Sequence, residues 1–495
     1  MVRSRRPKHA RRGPAGPVLR KAALLFAAVA AAYWYTWAEL AQDIEQGSYL
    51  GYLYLLPVLA GFAAAGIALR RGAELPIHDR QTDIIVGLIG LGLAAAVLGL
   101  LTPRYRYQYE LLHLDVLSAW LFLVSGCVLL FGLRPTFRFW PAWLLLFVAV
   151  PAPYRLLMVV LGGGKTAAGA VLLILAVLAA AIGSGRTRLR GVAAAGIALV
   201  AGADALIVLR LWFPSASMLA YEAIPALAAV VVGCGVMYVT QRRVRTLRPF
   251  DRPLSPLTAA QSWSAAAMVV VAGVLLAVIP LPAEYNRAFP VVAGLVTGAD
   301  APPPGWELLS VRQYPWAARY LGPDATLTRR VLRAQRGNAE WDKDSRRRRI
   351  VVDTVRADSG NTIDNLPEFV LYRLIQPRIS PPTTIDLGHG ITARLNTVLD
   401  DRRLLSWTWL SWNWSGQGRA ERISLISADN HLPDAEFPQP QRSVLANFDN
   451  LMNQFLRGNA VVLDTESHAV DSDFEVKDRE MLTTVALAIV RARTS

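Results

Sequence analysis

Cys127 and Cys234 are the only cysteines of this chain and its most obvious nucleophiles. A cysteine that transfers acyl groups needs a proton carrier and a charge stabiliser within hydrogen-bond reach. His113 and Arg155 are the candidates for those two roles, with Cys234 as the thiol. Neither cysteine has a histidine within local helical reach. Each lies about a dozen residues into an apolar stretch, roughly 18 Å deep at 1.5 Å per residue. A thiol in such surroundings is a poor nucleophile, and a packed apolar cysteine is the plainer reading of both. Asp204 and Arg210 are candidate binding groups, because an ionised side chain inside an apolar run is costly and marks function by default. Six residues apart, they point about 120° from each other around a helix, so each needs a partner on another span or in water. Glu110, His113, Asp115 and Arg155 fall near span ends, where they either snorkel to water or line a polar cavity. The run Gly162-Gly163-Gly164-Lys165-Thr166 imitates the end of a phosphate-binding loop. The glycine that such a loop needs five positions before Gly164 is Val159, so a flexible turn is the better reading.

These groups must be carried by membrane spans. Of 495 residues, 53% are hydrophobic and 18% charged. That is too apolar for an ordinary soluble enzyme, and it excludes disordered, collagen-like and coiled-coil chains. Two cysteines exclude a disulfide-stapled fold. The apolar residues concentrate before about residue 283. Nine runs of about 18–22 residues match the hydrocarbon thickness, near 22–38, 50–69, 83–101, 115–133, 139–160, 166–184, 191–211, 220–240 and 264–281. The loops between them differ in charge. One set carries the N-terminal arginines, Arg70, Arg71, Arg80, Arg134, Arg138, Arg186, Arg188, Arg190 and the arginines from Arg242 to Arg252. The other carries Asp43, Glu45 and Glu222, with Arg104, Arg106, Arg155 and Lys165 blurring the contrast. Basic loops face the cytoplasm, so the net charge of +15 answers first to topology, and no nucleic-acid partner is expected. The expected layout is a basic disordered cytoplasmic N-terminus over 1–21, a membrane domain over 22–282 and an extracytoplasmic domain over 283–495. The protein is thus expected in the plasma membrane, with Tyr33, Trp34, Tyr35 and Trp37 as an aromatic belt at the far end of the first span.

The last 213 residues suffice for one core. Alternating segments predict strands at 349–355, 368–372, 391–395, 404–414 and 422–426. Turns fall at 358–361 and 415–418, and amphipathic helices at 443–456 and 479–490. Strands followed by helices predict an α+β fold, an antiparallel sheet with helices on one side. Trp407 and Trp409 should share one face, with Trp412 and Trp414 on the other. They form either a stacking platform for sugar rings or a polyprenyl tail, or simply the sheet's core. The run Arg346-Arg347-Arg348-Arg349 is either a solvated strand entry or a contact for anionic headgroups or polymer. His389, His431 and His468 are too far apart to predict a metal site, and no cofactor is expected. Asp400-Asp401 and the Asp471/Asp473 pair are weak acid–base candidates, and there is no Gly-x-Ser-x-Gly elbow.

The stretch Gly126, Gly132-Leu133-Arg134, Pro141 and Pro151-Ala152-Pro153 resembles the middle of the exosortase/archaeosortase family of multi-span membrane proteins. The run from Leu404 to Trp412, with Gly418-Arg419, is similar to the extracytoplasmic exosortase-associated domain often fused after one further span. The resemblance implies protein sorting by cleavage of a C-terminal anchor through an outward Cys, Arg and His, and a setting in exopolysaccharide and cell-envelope assembly. This chain departs from the pattern. The family's Cys-Ser-Gly is replaced by Gly233-Cys234-Gly235, and no histidine lies between Cys234 and Pro282. The resemblance with these departures implies a divergent, non-catalytic member acting through its external domain. The alternatives are an active cysteine sorting peptidase/transpeptidase, or a polymer-export or transport subunit. Expected partners are membrane lipids and a secreted protein, lipid-linked intermediate or envelope polysaccharide.

Overall fold

The computed structural model describes residues 15–45, 49–68, 80–104, 109–185, 187–242, 259–281, 289–296, 301–321, 325–357, 360, 363, 368–374, 377–400, 402–441 and 476–494. The expected helix at 443–456, the turn at 358–361 (Gly360 aside), His468, Asp401, Asp471 and Asp473 lie outside the described residues.

Long alanine-, leucine- and valine-rich runs without polar interruption fold the first half into helices. They are α1 (Ala15–Ala32), α2 (Trp34–Glu45), α3 (Tyr52–Ala68), α4 (Arg80–Ala96), α5 (Thr102–Arg104), α6 (Tyr109–Leu112), α7 (Leu114–Phe131), α8 (Leu133–Arg138), α9 (Trp140–Phe147), α10 (Pro151–Val160), α11 (Gly164–Ser184), α12 (Arg188–Trp212), α13 (Met218–Arg242) and α14 (Ala259–Ala277). A π turn, Val97–Leu101, joins α4 to α5. Among the described residues, five helices are long and apolar enough to cross a membrane, or up to seven if each bent pair counts as one span. Two shorter apolar helices, Tyr52–Ala68 and Trp263–Ala277, fall where the second and ninth expected spans lie.

Two expected spans are not straight. The first bends by 71° between Ala32 and Trp34, and the fifth by 71° between Phe147 and Pro151. The second bend has a local cause. Pro151 has no N–H, so the Phe147 carbonyl loses its helical donor and a new helix starts at the Pro-x-Pro. Elsewhere small residues let backbones touch. A Cβ built on Gly66 of α3 would lie 2.0 Å from the Gly183 carbonyl oxygen of α11.

The bundle has two chemically distinct ends. At one, Lys21 donates to the Leu130 carbonyl (3.0 Å) and Arg80 to the Leu129 carbonyl (2.8 Å). There the Leu133 N–H also donates to Asp83 (2.7 Å). At the other end, Ile279 packs beside Gly99, next to the cluster of Val97, Leu112 and Leu114. The chain therefore leaves the helical half at the end that holds His113.

The second half is one antiparallel sheet. Its strands are β1 (Trp306–Gln313), β2 (Thr326–Ala334), β3 (Arg349–Ala357), β4 (Pro377–Ile379), β5 (Thr383–Asp386), β6 (Thr392–Asp400), β7 (Leu405–Gly416) and β8 (Arg419–Ala428). The order is β1-β2-β3-β8-β7-β6-β4, with β5 also on β6. Residues 368–372 are not a strand: Glu368–Leu371 is a 3₁₀ turn lying on the sheet. Gln417 and Gly418 both have positive φ (50° and 73°), the two-residue turn that matches hairpin twist. Helix α16 (Arg479–Thr494) covers one face, over Trp412, Trp414, Ile423 and Leu425. Trp407 and Trp409 lie in the opposite core with Leu371, Tyr372 and the helix α15 (Ala317–Leu321). The strict alternation along β7 thus splits the tryptophans as expected. α15 also packs against α11, joining the two halves.

Candidate functional site in the helical half

The break before α10 places two tyrosines and a carboxylate together. Tyr52, the first residue of α3, donates through its hydroxyl to the Ala149 carbonyl in the break (3.1 Å). Its ring stacks on Tyr154 at 3.7 Å between centroids. The Tyr154 hydroxyl lies 2.8 Å from Glu222 Oε1 and 3.2 Å from the Ala168 carbonyl, both acceptors. A phenol has one proton, so it serves these two in turn or splits between them. Glu222 is fully buried, and its Oε2 has no hydrogen-bond partner among the described residues. A Cβ on Gly51 would sit 2.9 Å from that oxygen, so only glycine leaves it room. Arg155, next to Tyr154 on α10, is buried too.

A second polar group flanks the same core. The Tyr109 hydroxyl lies 2.8 Å from Glu39 and 3.1 Å from Asp115, one proton between two carboxyl groups. His113 Nδ1 is 3.6 Å from Asp115 and both are buried. His113 has φ 39°, a left-handed conformation unusual for a non-glycine residue and common at functional positions. The Tyr33 hydroxyl meets Ser118 Oγ at 2.7 Å, and Ser118 bonds the Ala94 carbonyl at 2.7 Å. Leu40, Leu50, Val116 and Tyr154 belong to one core cluster, which ties the two groups together.

The thiols are elsewhere. Cys234 is half-buried, with Ser184 Oγ 3.7 Å from its sulfur. It lies twelve residues beyond Glu222 on α13, about 18 Å along the helix. Cys127 is thirteen residues beyond Leu114 on α7, about 20 Å from the His113 end. Both thus sit toward the end held by Lys21 and Arg80, and His113 and Arg155 do not converge on either. Asp204 and Arg210 are not in the polar core, for both are exposed on the outer face of α12. The glycine turn has positive φ at Gly162, Gly163 and Gly164, and Lys165 donates to the Ala216 carbonyl (3.0 Å).

In the sheet domain the four tryptophans are at most 1% exposed, so they fill its two cores and present no open stacking face. The basic run is paired within the chain, at the surface for Arg346 and Arg347 and in the interior for Arg348. Arg346 pairs with Asp344, Arg347 with Glu307, and Arg348 with Asp478; Arg349 donates to the Ala435 carbonyl (2.9 Å). No group of three or more His, Cys, Asp or Glu suited to a metal occurs among the described residues. Asp400 caps the N–H groups of Arg402 and Arg403 (3.2 and 3.0 Å).

Glu222, Tyr52 and Tyr154 are the residues that sequence reasoning passed over. Glu222 reads as an acidic loop residue because it opens the apolar run, four residues after Met218. The signal was Pro225, which marks a perturbed helix start rather than a loop. Comparison with protein-family models, curated proteins and solved structures finds no match for the chain.

Proposed function

We propose that this is an exosortase-like plasma-membrane protein of nine spans that works without thiol catalysis in cell-envelope assembly. Its N-terminus is cytoplasmic and its sheet domain is outside. The observation that carries the reading is the separation of chemistries. The buried histidine, arginine, tyrosines and carboxylates gather at the end from which the sheet domain leaves, and both cysteines lie toward the opposite, basic end. Thiol transfer needs those groups within about 3 Å contacts of the sulfur. A gap of about 18 Å along a rigid helix is not closed by side-chain rotation. The polar end suits a different task, that of holding the polar part of a membrane-anchored envelope intermediate where lipid meets the sheet domain. Exposure of Asp204 and Arg210 counts against a transport path through them.

The test is complementation of a deletion strain, read by its surface-anchored proteins and exported polymer. Cys127→Ala/Cys234→Ala is expected to restore the wild-type profile, and Glu222→Leu or removal of the sheet domain is not. A double cysteine variant that behaves like the deletion would return the chain to the cysteine peptidases.

A further inference from the structure

Helix α12 carries an acid and a base on a face that no described residue covers. It is the least buried of the five long apolar helices. Asp204 and Arg210 are both exposed, and neither has a partner among the described residues. Asp204 lies eight residues before Trp212, about 12 Å below that end of the helix. Its short side chain does not reach water from there, and an aspartate at such depth is costly unless it is paired. Arg210 lies six residues on, about 9 Å higher and about 120° around the helix. The arc between them holds Gly196, Val200 and Ile207, with Ala203 at its margin packed against the core. Val200 and Ile207 are 62% and 54% exposed, and a Cβ at Gly196 would meet nothing within 4 Å.

We propose that this face is the interface of a two-fold dimer of the chain, with α12 packed on α12 of the second copy. The geometry is self-complementary. With Val200 and Ile207 at the seam, Asp204 is about 60° to one side and Arg210 about 60° to the other. A two-fold axis along the membrane normal turns the second helix by half a revolution, which brings its Arg210 to the same side of the seam as the first copy's Asp204. The long arginine stem leans toward the helix N-terminus and so descends toward the aspartate level. Two identical Asp204–Arg210 pairs result, each shielded from lipid. Gly196 lets the backbones approach closely. A single helix of another protein would need a base at one chosen depth, whereas a second copy supplies it from symmetry alone. The inference does not depend on the proposed function.

The experiment uses the full chain in lipid bilayers at low protein density, with stoichiometry read by single-molecule photobleaching. Wild type is expected to dimerise. Asp204→Arg places two arginines side by side and should weaken association at least tenfold, whereas Asp204→Glu keeps the charge near the same depth and should associate like wild type. An Asp204→Arg variant that unfolds at the wild-type midpoint shows that the charge change leaves the fold intact. In a Cys127→Ala/Cys234→Ala background, Ile207→Cys should cross-link between copies, and Ile89→Cys on the exposed face of α4 should not. A chain monomeric at every density, an Asp204→Arg variant that dimerises like wild type, or equal cross-linking at 89 and 207 would each overturn the dimer.

Discussion

Two buried glutamates show what decides between a structural and a working carboxylate. Glu368 accepts from Ser411 (2.7 Å), Ser424 (2.8 Å) and the Trp409 indole, with Arg394 nearby at 3.7 Å. Both carboxylate oxygens accept hydrogen bonds, so the group fixes the sheet's core. Glu222 Oε2 has no side-chain or backbone hydrogen bond of normal geometry among the described residues, and a buried oxygen in that state calls for a reason of its own. The contrast between tryptophans is testable. Trp409→Phe removes a donor to a buried carboxylate, while the Trp412 indole N–H has no acceptor among the described residues. Trp409→Phe should therefore destabilise by about 1–3 kcal/mol more than Trp412→Phe. Equal shifts in the denaturant midpoint of the sheet domain would show that Ser411 and Ser424 alone suffice for Glu368. Asp429 gives a pH dependence. Burial pushes its carboxyl above the ordinary aspartate range, against the hydrogen bonds from Ser406 and Thr408. A carboxyl raised in the folded state contributes stability below its unfolded value, and that contribution is lost as pH rises through the folded value. Asp429→Asn keeps an acceptor for Thr408, so it should melt higher than wild type near neutral pH. The two curves should converge near pH 4, and a constant difference would mean the carboxyl is ordinary.

At the scale of elements, the crossing of α3 and α11 rests on Gly66 against Gly183. Its partner there is backbone, which has no rotamer with which to yield. Gly66→Ala must push the helices apart and should cost about 2 kcal/mol or more in a detergent unfolding series. Gly61→Ala on the same helix meets nothing within 4 Å and should leave the midpoint unchanged or slightly raised. The elements themselves were readable to different degrees. Strands β3, β6, β7 and β8 follow from short β-branched and aromatic runs bounded by turns, with β3, β7 and β8 buried on both faces, and helix α16 follows from the 3.6 period of its one buried face. β1 escaped because Leu308, Leu309 and Val311 are all exposed at a sheet edge, so no periodic burial marks it. The segment from Glu368 to Leu371 alternates like a strand but folds as a 3₁₀ turn, since its carboxylate is claimed by donors from β7 and β8. Composition located the apolar runs, yet composition carries no bend. The break before Pro151 was legible in principle from the missing N–H, whereas no proline or glycine announces the bend at Tyr33, whose hydroxyl meets Ser118 of a distant helix. Glu222 was missed for the same reason, since its neighbours come from α3 and α10.

For the whole molecule, the sorting of charge between the two ends of the bundle ties threading to chemistry. Lys21 and Arg80 hold carbonyls at one end, and Arg188 and Arg190 open α12 at exposed positions. Acidic Glu39, Asp115 and Glu222 gather at the other, where Ile279 leads into the sheet domain. Basic residues are retained on the cytoplasmic side, so the basic end is expected to face inward and the sheet domain outward. Leu404 is 89% exposed on the sheet domain and sits in a left-handed turn, a site where a cysteine is presented to solvent without disturbing a core. In intact cells, a membrane-impermeant maleimide is expected to label Leu404→Cys and to leave Cys127 and Cys234 untouched, because those thiols sit about 18–20 Å along their helices from Glu222 and Leu114, which lie at the end that the proposed threading turns outward. Labelling of Leu404→Cys only after permeabilisation would invert the threading. The polar cluster would then face the cytosol and the cysteines the exterior, and the case for an envelope role built on the outward carboxylates would fall with it.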